Sequence, residues 1–184
     1  TLPHVRSDIQ EYLKEGSTNI ARMKLDYIWS PKNDLFIRTD LGLIEEMFGG
    51  LGGEVLYRPF NKRYAIGFTG HYLKQREYKQ LLGFRDYKVF SGHLNTYFKL
   101  PQGVLLQVHA GRYLAQDTGI TFDISRRFKT GFRIGVFATK TNISREEFGE
   151  GSFNKGFYFS IPLDLYLSDY RSGNIGFSMS PLTR

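Results

Sequence analysis

The amino-acid sequence predicts an all-β protein whose strands run antiparallel and follow one another in an up-and-down order. The first observation is a two-residue period in residues 153–167, where large apolar side chains such as Phe157, Ile161 and Leu165 alternate with small or polar ones. Successive side chains of a strand leave opposite faces, so this period predicts a strand with one apolar face. Its length is about three times that of an ordinary strand of ~5 residues, which is typical of membrane-spanning barrels rather than sandwiches.

The second observation is that the same period continues along the chain from residue 20 onwards. In each segment, apolar side chains on one parity oppose charged, polar or glycine residues on the other. Alternation of this kind predicts half-buried strands. We therefore expect about ten strands, near residues 20–30, 34–46, 53–59, 62–75, 87–100, 103–115, 118–128, 131–142, 153–168 and 174–182.

The third observation concerns the segments between these strands. Tight turns with Pro, Gly, Asn or Asp alternate with longer or glycine-rich links such as MFGGLGG and KQREYKQLLGFRD. In an up-and-down barrel every second connection lies at the same rim, whereas the crossings of a Greek-key sandwich do not sort in this way. The fold class is thus predicted as an antiparallel up-and-down outer-membrane β-barrel, or a roughly ten-stranded part of one.

A short amphipathic helix is predicted before the strands. Ser7 can cap it, Gln10 can complete the capping box, and Gly16 can end it. A helix of about two turns is unstable alone, so we expect it to dock on another element. Packing on the barrel rim is favoured over a plug in the lumen. We therefore divide the chain into a helix and linker at 1–18 and a barrel region at 19–184.

Two features fit a continuous barrel poorly. Pro162 lies inside the longest predicted strand, where it has no N–H to donate to a neighbour. Its presence predicts either a bulge or an imperfectly paired neighbouring strand. The predicted strand at 53–59 is also short and alternates weakly.

Composition excludes several classes of protein. The chain has 184 residues, 16 Phe, 12 Tyr, one Trp, no Cys and a net charge of +7. Mean hydropathy is −0.35, and no apolar run approaches the roughly 18 residues of a membrane-spanning helix. The positive charge favours anionic partners. Because the Lys and Arg residues are scattered and form no RNA-binding signature, we expect no nucleic-acid partner.

The alternation assigns a set of basic, histidine and tyrosine side chains to the inward, polar face. We consider these the candidate lumen-facing or glycan-facing residues: Arg22, Lys24, Arg38, His71, His93, Tyr97, Lys99, His109, Tyr113, Arg127 and Arg133. Two alternatives stay open for the cations. They either stiffen the lumen through ion pairs with aspartates, or form a track for an anionic glycan beside the flat tyrosine rings.

Chemistry at this face is not expected. His71, His93 and His109 fall on three successive strands and would suit a metal if the register aligned them, but no carboxylate shell accompanies them. Ser91, His93 and Asp123 resemble a hydrolase triad only in composition. Ser91 and His93 lie about 7 Å apart along one strand, and no G-x-S-x-G elbow is present. We predict no catalytic residues, no metal and no cofactor.

Several longer stretches resemble one family. They are RSDIQEYLKEG at 6–16, LIEEMFGGLGGEVLYRPF at 43–60, GHL at 92–94, QVHAGRYLAQDTGITFDISRRF at 107–128, and EEFGEGSFNKGFYFSIPLDL at 146–165 followed by SPLTR. They are similar to the YjbH/GfcD-type exopolysaccharide (capsule) biosynthesis outer-membrane proteins. The resemblance implies an outer-membrane barrel encoded with polysaccharide export and assembly genes, and it implies no catalytic residue. Family members are longer than 184 residues, so we expect the chain to be a segment of a longer protein.

Together these observations lead to one functional expectation and two rivals. We expect a barrel in the Gram-negative outer membrane that assists exopolysaccharide or capsule export. Its expected partners are outer-membrane lipid, an exopolysaccharide that the net charge favours as anionic, and other export-system proteins. The first rival is a periplasmic or surface β-sheet protein that binds glycans, and the less favoured second is an outer-membrane hydrolase. A barrel exposes its apolar outward side chains, whereas a sandwich buries them.

Overall fold

One short helix and ten β-strands make up the regular structure in the described part of the chain, together with a 3-10 turn at Pro101–Gly103. The computed structural model describes residues 9–16, 18–143, 153–163 and 173–179. Helix α1 spans Ile9–Glu15. The strands are β1 Met23–Lys32, β2 Leu35–Leu43, β3 Phe48–Tyr57, β4 Tyr64–Arg76, β5 Phe84–Lys99, β6 Val104–Arg112, β7 Thr118–Arg127, β8 Arg133–Thr141, β9 Phe153–Pro162 and β10 Asn174–Met179.

The ten strands form one sheet in chain order. Each strand is antiparallel to the next, from the β1–β2 pair to the β9–β10 pair. The predicted all-β, up-and-down arrangement is therefore confirmed. Strands β1 and β10 are the outer strands of the sheet, and within the described residues neither has a partner on its outer edge. Closure of the sheet into a barrel is thus not part of the described structure.

The glycine-rich segment after β2 is a strand, and its prediction as a link was wrong. Residues 49–53 belong to β3, where they pair with β2 on one side and β4 on the other. A Cβ atom at Gly50 would stand 2.1 Å from the Tyr72 carbonyl oxygen. Pairing on both edges overrides the weak strand propensity of glycine. The strand predicted as short and weak at 53–59 is consequently a full strand of 10 residues.

Because β3 begins at Phe48, the β2–β3 link is shorter than predicted, and the predicted difference in connection length between the two rims largely disappears. At the first rim the described connections are residues 33–34, 58–63, 100–103 and 128–132, and at the second rim they are 44–47, 77–83 and 113–117. Their lengths overlap, so the predicted sorting into tight turns and long links is wrong for these connections. The connections at 142–152 and 163–173 extend outside the described residues.

Pro162 ends strand β9 instead of interrupting it. Its Cα pairs with Asn174 on β10, whereas pairing with β8 stops at Ser160. The missing N–H therefore breaks no hydrogen bond in the β8–β9 ladder. Neither pairing of β9 contains a register shift, so no bulge is present in the described part of this strand, and the expected position inside a strand is wrong. The alternative of an imperfectly paired neighbour stays a prediction. Residues 164–168 of the predicted strand lie outside the described residues.

The two faces of the sheet differ in polarity and in exposure. Apolar side chains on one face, such as Leu25, Leu51 and Phe68, are 73%, 57% and 53% exposed. On the other face several polar side chains are buried, and Asp40 and Asn95 are each 4% exposed. We call these the apolar face and the polar face. Residues from β5 to β10 line one cleft on the polar face, so the sheet curves around it.

A small core lies at the second rim, on the polar side of the sheet. Tyr12 of α1 is buried there with Met47, Phe48, Leu73 and Val89, and we call this cluster the rim core. The Tyr12 hydroxyl donates to the Arg76 carbonyl oxygen at 2.6 Å. The expected docking of the helix at the rim is confirmed. No helix in the described residues is long and apolar enough to cross a membrane.

The guanidinium of Arg76 ties the second rim together. This side chain is fully buried at the end of β4. Its two terminal nitrogens donate to six main-chain carbonyl oxygens, those of Ile20, Ala21, Glu45, Glu46, Gln80 and Leu81. The planar fork of Arg supplies several donors in fixed directions. One cation therefore joins the segment before β1, the β2–β3 link and the β4–β5 link.

Replacing Arg76 is expected to destabilise the protein strongly. Arg76→Leu leaves buried carbonyl oxygens without donors, so we expect a loss of about 3 kcal/mol or more in the free energy of unfolding. Arg76→Lys should lose less stability than Arg76→Leu, because the lysine keeps the positive charge. It should still be less stable than the parent, because it lacks the planar fork of donors. The control is Arg112→Leu, since Arg112 is exposed and its guanidinium bonds to Gln116. Urea unfolding in a folding-competent detergent measures all three, and equal stabilities would contradict the prediction.

A pH-dependent stability change is expected from Glu45 in the β2–β3 link. Burial raises the pKa of the Glu45 carboxyl above its ordinary value of 4.5, Glu46 raises it further, and Arg22 opposes the rise. A carboxyl with a raised folded-state pKa costs stability once it ionises, so stability falls as pH rises through that pKa. Glu45→Gln should thus be more stable than the parent at about pH 7 and equally stable at about pH 3.5. Glu77→Gln, at an exposed position of the β4–β5 link, is the control. If the stability difference between Glu45→Gln and the parent is the same at both pH values, ionisation of the Glu45 carboxyl is not its cause.

Candidate functional site

Most of the predicted inward residues share the polar face. Arg22 instead precedes β1, and Tyr113 follows β6 in the β6–β7 link. Both lie beyond the strand ends, although the Tyr113 ring contacts His93 with centroids 4.6 Å apart. The others lie on strands and face the polar side: Lys24, Arg38, His71, His93, Tyr97, Lys99, His109, Arg127 and Arg133.

An ion cluster occupies the polar face of β2–β4. His71 Nε2 lies 3.1 and 3.2 Å from the two carboxylate oxygens of Asp40. Arg38 Nη2 lies 3.3 Å from Glu54 Oε2, and its Nε lies 3.8 Å from Asp40 Oδ2. The carboxylates therefore compensate the charge of Arg38. In this part of the face the ion-pairing alternative for the cations holds.

Gly52 makes the contact between Asp40 and His71 sterically allowed. Its Cα pairs with Asp40 on β2 and with His71 on β4, so the imidazole must cross β3 to reach the carboxylate. A Cβ atom at Gly52 would stand 2.2 Å from His71 Cδ2. The glycine leaves the space through which the two side chains meet.

Asn95 organises the middle of the polar face. His109 Nδ1 lies 2.7 Å from Asn95 Oδ1, and Asn95 Nδ2 donates to Thr69 Oγ1 at 3.3 Å. Because the amide oxygen only accepts, His109 carries a proton on Nδ1 and donates it. The Tyr97 ring meets the His109 ring edge-on, with centroids 5.9 Å apart. Neutral hydrogen bonds dominate here instead of ion pairs.

The three predicted histidines lie on a diagonal, and the register does not align them. His71 pairs with Ser91, and Thr69 pairs with His93. His93 pairs with Gly111, while His109 pairs with Asn95. Each step to the next strand therefore moves the histidine two residues along the face. No group of three or more His, Asp or Glu residues in the described chain could hold a metal ion.

The residues that resemble a hydrolase triad each have other contacts. Ser91 Oγ donates to the Arg112 carbonyl oxygen at 2.9 Å. Asp123 Oδ1 accepts from Gln107 and from Tyr158, and so lies in a different network. His93 Nε2 is buried without a hydrogen-bond partner in the described residues. The nucleophile–base–orienter chain that the chemistry requires is absent from the described contacts.

Tyr113 supplies an uncharged aromatic group at the second rim. Burial raises the pKa of its phenol above 10.0; the Thr121 hydrogen bond opposes this rise and the Asp117 charge adds to it. The hydroxyl lies 2.6 Å from Thr121 Oγ1. The ring is therefore neutral at physiological pH and presents a hydrogen-bonded, flat surface.

Tyr158 is a polar-face residue that sequence reasoning missed. Its hydroxyl donates to Asp123 Oδ1 at 2.9 Å and lies 3.2 Å from Arg133 Nη2. The ring crosses over Gly135, where a Cβ atom would stand 2.4 Å from the ring carbon that bears the hydroxyl. Tyr158 has the even residue number that places a side chain of β9 on the polar face. The apolar residues on either side of it in the sequence obscured this indication.

A basic cleft of about 950 Å³ opens on the polar face at the first rim. Its lining includes Lys99, Arg127 and Arg133, with Ser125 and Tyr158 beside them. Arg133 Nη2 donates to Ser125 Oγ at 3.0 Å, and the Arg133 guanidinium carbon lies 5.5 Å from the centre of the Tyr158 ring. None of the described residues that line the cleft is a carboxylate. Within the described lining, the cations of this part of the face are therefore not matched by acids.

Comparison with known proteins gives one family and one curated relative. The family model YjbH, described as "Exopolysaccharide biosynthesis protein YbjH", matches residues 1–184. The chain is 40% identical over 188 residues to a protein of Escherichia coli (strain K12) described as an uncharacterized lipoprotein, YjbH. That match covers 100% of this chain but only 27% of the relative, so the chain spans about a quarter of the relative's length. No solved structure matches the chain.

Gly52→Ala is expected to disrupt the ion cluster. The added methyl group collides with the His71 ring, and displacement of the ring leaves the buried Asp40 carboxylate with only the 3.8 Å contact to Arg38. We expect a loss of about 1–3 kcal/mol in the free energy of unfolding. The matched control is Gly176→Ala on the polar side of β10, where the nearest atom to a Cβ lies 3.8 Å away. Unfolding in urea should show that variant unchanged or slightly more stable, and equal losses in both would refute the steric explanation.

Proposed function

Because the chain belongs to the YjbH exopolysaccharide biosynthesis family, we propose that it forms part of an outer-membrane β-barrel that assists exopolysaccharide or capsule export. The partners in this proposal are outer-membrane lipid, the exopolysaccharide and other proteins of the export system. The chain performs no chemistry of its own. It supplies a wall with one face toward lipid and the other toward a hydrated passage.

The observation that carries the proposal is the exposure of the apolar face. Large apolar side chains are exposed on strand after strand, and they include Leu41, Val55, Ile66, Phe90, Leu94, Phe122, Ile124, Val136, Phe157 and Phe177. Soluble monomers rarely expose contiguous apolar patches larger than a few hundred Å². Lipid chains remove the cost of exposing this surface to water. The strands are 6 to 16 residues long, and most are near the roughly 9–11 residues that cross a bilayer.

Hydrogen bonding of the backbone supports the same placement. A bilayer contains no water to satisfy N–H and C=O groups, so strands must be paired there. Every neighbouring pair from β1 to β10 is hydrogen-bonded. The proposal requires that the outer edges of β1 and β10 also be paired in the membrane, by each other or by further strands.

The polar face suits contact with a hydrated polymer. Its ion cluster, amide network and cleft offer charged and neutral hydrogen-bonding groups. Wide barrels have polar lumens, and a polysaccharide can exchange its bound water for such groups.

The relative's description as a lipoprotein supports a location in the cell envelope. Lipid chains hold a protein at a membrane surface, and the organism of that relative has an outer membrane. A periplasmic glycan-binding sheet is the second candidate. It would need a partner surface to cover the apolar face, whereas lipid covers it directly.

A pair of Phe→Arg substitutions tests the placement. Phe68 is an exposed residue of the apolar face in β4, and Phe60 is 82% exposed in the connection 58–63. We expect Phe68→Arg to reduce membrane-assembled protein several-fold, because a cation on the lipid face costs about 2–4 kcal/mol at the midplane. Phe60→Arg should cost about 0–1 kcal/mol at the interface.

The measurement is membrane fractionation of the full-length protein with heat-modifiable migration on gels. A lipid-facing wall predicts a heat-modifiable band for the parent and for Phe60→Arg. Native full-length protein in the soluble periplasmic fraction would refute the proposal. Equal membrane assembly of both variants would contradict the placement of Phe68 toward lipid.

A further inference from the structure

We propose that the basic cleft at the first rim binds the anionic substituents, carboxylate or phosphate, of the exported glycan. This inference rests on the proposed function and adds a specific contact site to it. The cleft lies on the polar face, at the ends of β5 and β7 and the start of β8.

No acid among the described lining residues compensates the positive charge of the cleft. Lys99 and Arg127 have no side-chain hydrogen bond or ion pair in the described part of the chain. Arg133 has only neutral partners, the hydroxyls of Ser125 and Tyr158. On the same face Lys24 pairs with Asp26 at 2.9 Å. Arg38 has two carboxylate partners, Asp40 and Glu54. Lys24 and Arg38 therefore have acidic partners, whereas the described lining of the cleft offers none to its cations.

The strand register brings two of these cations together. Arg127 and Arg133 are directly opposite each other on β7 and β8. Like charges in this position repel and destabilise a sheet. No carboxylate among the described lining residues offsets the repulsion. An anion bound between them would do so.

The remaining groups of the cleft suit a sugar that carries an acidic substituent. Guanidinium groups bind carboxylate and phosphate oxygens in a two-pronged geometry. The Ser125 and Tyr158 hydroxyls can bond to sugar hydroxyls, and the Tyr158 ring offers a flat face. The volume of about 950 Å³ is near the upper end of small-molecule sites, which span roughly 300–1,000 Å³. A short run of sugar residues is therefore a better match than a single ion.

The experiment compares neighbouring arginines on opposite faces of β7. Arg127 lines the cleft, whereas Arg126 lies over the Phe128 ring at 4.8 Å. Full-length protein in detergent is titrated with fluorescently labelled oligogalacturonate, a phosphate-bearing mannan and a neutral galactan at low salt. We expect both anionic polymers to bind more tightly than galactan. The tighter of the two identifies the preferred substituent.

The variants give the decisive result. Lys99→Gln and Arg127→Gln should each weaken binding of the anionic polymers about threefold, and together about tenfold. Arg126→Gln should leave it unchanged. Equal binding of galactan, or an equal effect of Arg126→Gln, would overturn the inference. The labelled oligogalacturonate is also displaced with unlabelled polygalacturonate or with an anionic phospholipid. If the phospholipid displaces it as effectively, the cations bind a lipid headgroup and the inference is overturned.

Failure of this inference is distinguishable from failure of the proposed function. The same samples are scored for heat-modifiable migration. Protein that assembles in the membrane without preferring anionic polymers refutes only the cleft. Protein that does not assemble in the membrane refutes the wall itself.

Discussion

Alternation of polarity across a single layer is the constraint on which this structure depends. Each strand places apolar groups on one side and polar groups on the other, and no second layer covers the apolar side in the described residues. In water this surface would drive association, whereas in lipid it needs no cover. The same constraint sends His71, Asn95 and Asp123 to the opposite face. There His71 meets Asp40, Asn95 meets His109 and Asp123 meets Tyr158.

The second rim shows how a curved sheet is fastened at its end. Rim connections are normally the least constrained part of an up-and-down sheet. Here the Arg76 guanidinium replaces water for six carbonyl oxygens, and Tyr12 inserts the helix into the rim core. Gln80 Nε2 donates to the Tyr12 carbonyl oxygen at 3.0 Å and completes the attachment. Polar and apolar contacts thereby act at the same place to hold three chain segments in one arrangement.

The polar face is divided electrostatically along the sheet. On the polar face of β1–β4 each acid lies beside a base, as in the Arg38–Glu54 pair. On β5–β8 none of the described residues that line the first-rim cleft is an acid, and Arg127 faces Arg133. The ion-pairing alternative for the inward cations therefore holds on β1–β4, and the anionic-glycan alternative is the proposal for the cleft.

The sequence alone determined most of the strands and the polarity of both faces, because the two-residue period is a local property of each segment. It did not determine what depends on partners distant in the chain. Residues 49–53 were predicted as a link because their glycine-rich composition does not indicate their pairing with β2 and β4. The Asp40–His71 contact, the diagonal of the histidines and the place of Tyr158 follow from register, which only strand pairing sets. The role of Arg76 was equally hidden, since its carbonyl partners come from three separate segments that only the tertiary structure brings together.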